Sequence, residues 1–544
     1  MPSNIAQNLH QRLIVNPPLA AFLFGLFWAT LAMTVSRYWI VPNYIPSENG
    51  HILGDPLLYH NMALEQVNIL RDQGWSAFQL HYGAQGTAGI TSLLYLIYPS
   101  PFLVLILNAL LHAVACAAVT RLLTVWFRPG ISLLATLPLL ISPANIFWLA
   151  QINKESYATA GFALFCLGYI LALQQSLSDN TKNKLAGWWV LLAVLGIFLM
   201  YIPRPHLNQM LILGFVVTSV IVIACLTLKK QYKAMLTTIM QATILTAAFG
   251  YFSQGGLSDR VDAMITQAAK EDEISRALET SEETQPTSSS STDPSANSQM
   301  SESVAETTNK SEATIEPLTG TPVSAVNDSA SAPGSTVPDN ISREPAPNAE
   351  EVKPPAEPLG VICYRKLEPA NWRPVDWLPE SINSRLKALA SVRCHNHELH
   401  DVHDNPTTKQ SIADTDVAIQ GVDDMIAYAP RALQLGFFGP LPSQWPSGTF
   451  LSSFFFTTVP VMMVLFYIGF VVTAFWIVKT KAWLVLPIFM ISTVPLWIYG
   501  ISTSFLGALF RYRYPMWIVL FCICTAGLLT VLTSRFARDD PAHK

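Results

Sequence analysis

Hydrophobic positions along this chain gather into runs instead of alternating. Apolar stretches of about twenty residues fall near 17–40, 102–125, 131–149, 156–175, 186–203, 207–228, 235–253, 450–478, 483–501 and 516–533. Each is long enough to cross the hydrocarbon core of a bilayer. The pattern predicts an all-α polytopic membrane protein of about ten crossings. Residues 86–98 (GTAGITSLLYLIY) are short for a crossing and stop before Pro99 and Pro101. They read as a helix dipping into the membrane or as the front end of a broken span.

Between the first span and that short run lies GDPLLYHNMALEQVNILRDQGWSAFQLHY, residues 54–82. Its apolar positions Tyr59, Met62, Ala63, Val67 and Leu70 recur at helical spacing, so it predicts an amphipathic helix along the bilayer surface. Asp55 and Pro56 open it, as residues of a first helical turn often do. Asp55 is then either a capping residue or a carboxylate held at the lipid–water boundary. Tyr59 and His60 in the same stretch join it as substrate-binding candidates.

Polar residues set the orientation. Arg121, Arg128, Lys182, Lys184, Lys229, Lys230, Lys233, Lys479, Lys481, Arg535 and Arg538 all fall on one side of a ten-span arrangement. Cationic loops stay in the cytoplasm, which places both termini there. The opposite side receives the loop 41–85, the turns at Asn153–Glu155 and Arg204–His206, the insert 254–449 and the turn Phe510–Tyr514. The chain thus divides into an N-terminal transmembrane module (1–253), a loop start (254–271), a tether (272–358), a small ordered segment (359–449) and C-terminal helices (450–544). The tether is rich in Ser, Thr, Glu, Pro and Ala, and too poor in apolar residues to fold. Its N-x-S/T triplets at Asn309, Asn327 and Asn340 arise readily by chance in such sequence. The segment after it ends in YAPRALQLGFFGPLPSQWPSG, which reads as an ordered return to the membrane surface.

Composition sharpens this picture. With 51% hydrophobic and only 13% charged residues, the chain is not a soluble enzyme, and its net charge of −4 conceals an acidic insert beside basic loops. No basic face with interleaved aromatics suggests a nucleic-acid partner. Of seven cysteines, Cys116, Cys166, Cys225, Cys522 and Cys524 lie in apolar spans as packing residues. Cys363 and Cys394 occupy the polar insert, where an oxidising compartment admits a disulfide between them. No Cys/His spacing resembles a zinc site. The first apolar run is too long for a cleavable signal and reads as an anchor.

Candidate chemistry clusters at one membrane face. In SPANIFWLAQINKES, Lys154 and Glu155 open a span after Asn153. They are either a capped helix start with a snorkelling lysine or a carboxylate–cation pair on the face of Asp55. In YIPRPHLNQ, Arg204 and His206 are mounted between and beside prolines, as a headgroup anchor or as ligand-binding groups. Arg431 follows Pro430, and Arg511 and Arg513 precede the last span in RYRYP. Outward loops are normally depleted of arginine, yet four of them here carry it. Guanidinium captures phosphate in bidentate fashion, so Arg204, Arg431, Arg511, Arg513 and Lys154 are expected to converge on a phosphate. The centres of the spans carry almost no ionisable residue, His112 being the nearest exception. Transporters and proton relays generally need such groups near the midplane, so the pattern favours chemistry at the surface.

These motifs together resemble the polytopic GT-C glycosyltransferases, in particular the protein O-mannosyltransferase and lipid A aminoarabinose transferase group. The resemblance rests on GDPLLYHNMA, on GITSLLYLIYPSPFLVLILNALL, on the SPANIFWLAQINKES turn and on RYRYP, and covers roughly residues 15–260 and 440–535. It implies a GT-C-like bundle with a large extracytoplasmic insert, in a bacterial inner (plasma) membrane. It also implies transfer of a sugar from a polyprenyl-phosphate donor to a hydroxyl of a protein, lipid or glycan acceptor. Carried over, it makes Asp55 the catalytic base or a metal ligand for a divalent cation. Lys154 and Glu155 become donor-site residues, Glu155 as a second catalytic acid beside Asp55, and Arg511 and Arg513 phosphate contacts. Many relatives have an Asp or paired acids where this chain has Lys154–Glu155, so Glu155 departs from the pattern. Other readings of the same residues are a lipid-linked polysaccharide polymerase or ligase, and a non-catalytic transporter or scaffold of envelope assembly.

Overall fold

The computed structural model describes residues 16–40, 47–48, 51–52, 55–142, 148–177, 186–253, 372–401, 413–414, 417, 419–442 and 450–539. The chain divides into two units. One joins Met1–Lys270 with Glu357–Lys544 and contains every element below. The other, Glu271–Ala356, lies outside the described residues, and so does the whole of the expected tether. Cys363 also falls outside, and Cys394 is described only as backbone within a helix.

The described residues form an almost wholly helical protein. In order come α1 (Pro17–Val35, continued by a wider turn Ser36–Ile40), α2 (Asp55–Gln73), α3 (Gly86–Ile97), α4 (Phe102–Leu123), α5 (Pro129–Ala135) and α6 (Leu137–Leu140). Next are α7 (Glu155–Leu177), α8 (Ala186–Tyr201), α9 (Pro205–Leu228) and α10 (Tyr232–Tyr251). The insert adds α11 (Glu380–Asp401) and α12 (Val422–Phe438), and the chain closes with α13 (Phe450–Thr480), α14 (Leu486–Ser502) and α15 (Leu506–Asp539). A two-residue antiparallel ribbon, Ser47–Glu48 against His51–Ile52, precedes α2.

Among the described residues, eight helices are long and apolar enough to cross a membrane. They expose large apolar side chains such as Phe27, Leu213, Val220, Leu236 and Phe475, which water would not tolerate in such numbers. This is an integral membrane protein. The two remaining expected spans differ in kind. The stretch 131–149 is broken into α5 and α6, and α8 is only 16 residues long. Both still run back along a neighbour. Thr136 meets Thr120 near the tail of α4 (Oγ1–Oγ1 2.8 Å), while Asn108 near its head donates to Gln151 O at 2.7 Å.

At the centre stands α7, buried along nearly its whole length from Glu155 to Leu173. Small residues permit this. A Cβ on Gly161 would stand 2.7 Å from Gly196 O, so α7 and α8 approach backbone to backbone. One expectation about the C-terminal half needs correction. The residues Phe510–Tyr514 are not a turn, because α15 starts at Leu506 and carries Pro515 in its interior. The YAPRALQLGFF segment is ordered as the C-terminal part of α12, packed along α14 so closely that a Cβ on Gly436 would stand 2.2 Å from Leu496 O.

Candidate functional site

The return paths bring the heads of α2, α7, α9 and α15 to one end of the bundle, and there the charged residues meet. Glu155 opens α7 behind Asn153, whose Oδ1 accepts from Ser156 N at 3.2 Å as a helix cap does. The Glu155 carboxylate is 2% exposed. Its Oε1 accepts from Arg204 NH2 at 2.7 Å and from Arg511 Nε, and its Oε2 accepts from Lys154 N at 3.1 Å. Arg511 reaches the other way with NH1, 2.7 Å from Asp55 Oδ2. One guanidinium therefore bridges the two carboxylates that the sequence placed a hundred residues apart.

Arg204 lies behind this bridge, 1% exposed and held at the N-terminal cap position of α9 by flanking prolines. Pro515 lacks an N–H, so the carbonyl of Arg511, four residues earlier, has no helical donor. Arg204 NH1 approaches that oxygen at 3.5 Å, and its guanidinium lies 5.2 Å from the Tyr512 ring. On the other flank, Lys154 Nζ donates to Gln85 Oε1 at 2.6 Å and sits 4.9 Å from the centre of the Tyr59 ring. The Tyr59 hydroxyl hydrogen-bonds Asp55 one helical turn away.

The site has a closed side and an open one. Glu155 and Arg204 are sealed in, while the Asp55 side chain is 45% and that of Arg511 27% exposed. Burial pushes the Asp55 carboxyl up, but the charges of Arg511 and Lys154 with the hydrogen bonds from Arg511 and Tyr59 outweigh it. The group is held below the usual carboxylate range and is ionised at neutral pH. His60 pairs through Nδ1 with the Tyr95 hydroxyl at 2.8 Å, and burial keeps its imidazole below the usual histidine range. His206 lies buried in the first turn of α9.

Two of the expected arginines are engaged elsewhere. Arg431 binds Asp414 with Nε at 2.9 Å and NH2 at 2.8 Å, beside the Tyr428 hydroxyl on the same carboxylate. Arg513 is fully buried and donates NH1 to Leu435 O at 2.9 Å and Gly436 O at 2.8 Å, and NH2 to Gly439 O. It caps the carbonyl end of α12, where Leu435 O also accepts from Gly439 N at 2.9 Å and Pro440 offers Gly436 O no N–H. Two residues of phase along α15 turn its side chain away from that of Arg511.

A divalent cation does not fit this arrangement. The Arg511 guanidinium already stands between Asp55 and Glu155, where such an ion would be held. Among the described residues no group of three or more His, Cys, Asp or Glu gathers that could hold a metal. Sequence reasoning did not find Gln85, Tyr95 or Tyr512, which support the charged residues. Gln85 and Tyr95 carry no charge, Gln85 at the end of a loop and Tyr95 within an apolar run, and Tyr512 stands between two arginines that drew the eye from it. No protein-family model, curated protein or solved structure matches this chain.

Proposed function

We propose that this chain is a membrane glycosyltransferase of GT-C-like architecture, moving a sugar from a polyprenyl-phosphate donor to an acceptor hydroxyl at the outer face of the membrane. In this reading the eight long helices, the α5–α6 segment and α8 make ten crossings, with both termini cytoplasmic and the insert outside. The even spread of cationic loops on one side supports that orientation.

One observation carries the proposal: Asp55, Lys154, Glu155, Arg204 and Arg511 converge at one end of the bundle, with Asp55 and Arg511 at its open edge. Three cations face two carboxylates there, leaving one net positive charge. A sugar phosphodiester carries one negative charge and would balance it. The donor phosphate would take the outer edge of Arg511 together with Lys154, drawing Arg511 NH1 off Asp55. The freed Asp55 carboxylate then accepts the acceptor's hydroxyl proton as that oxygen attacks the anomeric carbon. The bond from the anomeric carbon to the phosphate oxygen breaks, its electron pair leaving with polyprenyl phosphate. Arg511 and Lys154 stabilise the charge gathering on that leaving group, a contribution of about 3 kcal/mol per donor in a partly dehydrated cleft.

The test is turnover by the purified protein in lipid nanodiscs, supplied with labelled polyprenyl-phosphate sugars and membrane extracts as acceptor. Release of polyprenyl phosphate coupled to labelled acceptor is expected. Absence of both release and phosphate binding across monophosphate and diphosphate carriers would overturn the proposal.

A further inference from the structure

The convergence of charges leaves Glu155 with no route to a substrate. A group that takes a proton must come within hydrogen-bond reach of it, yet this carboxylate is 2% exposed and both its oxygens are occupied. Its partners are two guanidiniums and the backbone N–H of Lys154, just before its helix. It is also mounted rigidly, at the head of the most deeply buried helix and behind the Asn153 cap.

Arg511 shows the complementary pattern. Its Nε is held by Glu155 and its NH1 by Asp55, while among the described residues NH2 makes no hydrogen bond. A guanidinium is planar, so fixing Nε fixes the direction in which the two terminal nitrogens point. Arg204 completes the clamp from behind. It holds Glu155 through NH2 and reaches the Arg511 carbonyl, which Pro515 leaves without a helical donor, through NH1. Side chain and main chain of residue 511 are thus both tied to one buried pair.

We propose that Glu155 is a positioning residue: with Arg204 behind it, it aims the outer edge of Arg511 at the donor phosphate and touches no substrate itself. The inference rests on the sugar-transfer reading above for the identity of the phosphate, though not for the clamp. It separates the two acids of the site by task. Asp55 meets the acceptor, and Glu155 acts only through Arg511.

A double-mutant cycle reads this directly, because a residue that acts wholly through another has no effect once that other is gone. The probe is a short-chain isoprenyl monophosphate, its binding measured by calorimetry on the full-length protein in detergent, with sugar transfer followed alongside. In the native background E155Q is expected to weaken phosphate binding about tenfold and transfer at least thirtyfold. In the R511A background the same change is expected to alter either quantity less than threefold. Equal losses in both backgrounds would overturn the proposal, as would E155Q binding the phosphate as tightly as the native protein or more tightly. If E155Q does not yield a monodisperse, cooperatively melting protein, R204Q takes its place in the cycle with the same expected coupling to Arg511. The binding arm is readable even if the native protein transfers no sugar, so failure of the transfer reading and failure of the clamp give different results.

Discussion

Arg511 and Arg513 stand two residues apart on α15, and their contrast explains the molecule better than either alone. Arg511 faces two carboxylates at the open edge of the bundle and keeps one nitrogen unengaged among the described residues. Arg513 faces three backbone carbonyls in a sealed position beside Phe510 and Trp517. One guanidinium is arranged to exchange a partner, the other to keep its own. Burial and the kind of acceptor decide which, because a carboxylate at the surface can be displaced by a competing anion and a buried helix end cannot. On the proposed reading, identical residue types in one short motif therefore divide into a binding group and a structural one.

The largest expected effect comes from removing the exchanging arginine. R511A should cut transfer about a thousandfold, as losing a charge-stabilising donor typically does, while the protein still melts cooperatively; assay of turnover alongside a thermal melt checks both. Removing the structural arginine should reverse that pattern. R513M leaves the Gly436 and Gly439 carbonyls without this buried donor and should destabilise the protein by about 3 kcal/mol, with transfer per folded molecule within a few-fold of native. A melt in detergent paired with active-site titration would show it, and a large loss of turnover per folded molecule would erase the distinction between the two arginines.

A pH profile sharpens the comparison further. Asp55 is held below the usual carboxylate range chiefly against its burial by Arg511 and Lys154. A base must be ionised to accept a proton, so activity is kept above its pKa and lost as pH falls through it. Removing the positive charge in R511Q leaves burial less opposed, so the acid limb of the residual kcat/KM profile should move to higher pH. An acid limb unchanged in position would mean that some other group sets it. The smallest effect belongs to the insert: R431Q breaks the half-exposed pair with Asp414, should cost about 1 kcal/mol in a melt, and should leave transfer within twofold.

The sequence made the gross architecture legible because apolar runs of spanning length are an unambiguous signal, and it also foretold α2 with Asp55 in its first turn. Asp55, Lys154, Glu155, Arg204 and Arg511 could be placed on one face by counting crossings and cations. Their pairing could not, since the contact between residues 55, 155 and 511 depends on how α5, α6 and α8 return the chain. The start of α15 was misjudged for a definite reason. A proline commonly marks the first turn of a helix, whereas Pro515 sits well inside α15, its missing bond answered by Arg204. Arg513 was taken for a phosphate contact because its neighbourhood in the sequence matches that of Arg511. The end of α12, brought beside α15, explains why it faces inward.

The most direct test of the account compares phosphate binding and sugar transfer in D55N. The substitution removes the base and loosens its hold on Arg511 without disturbing the Glu155–Arg204 clamp. The account predicts isoprenyl monophosphate binding at least as tight as in the native protein, with transfer reduced a thousandfold or more. Transfer within threefold of native in a D55N protein that binds the phosphate normally would contradict it.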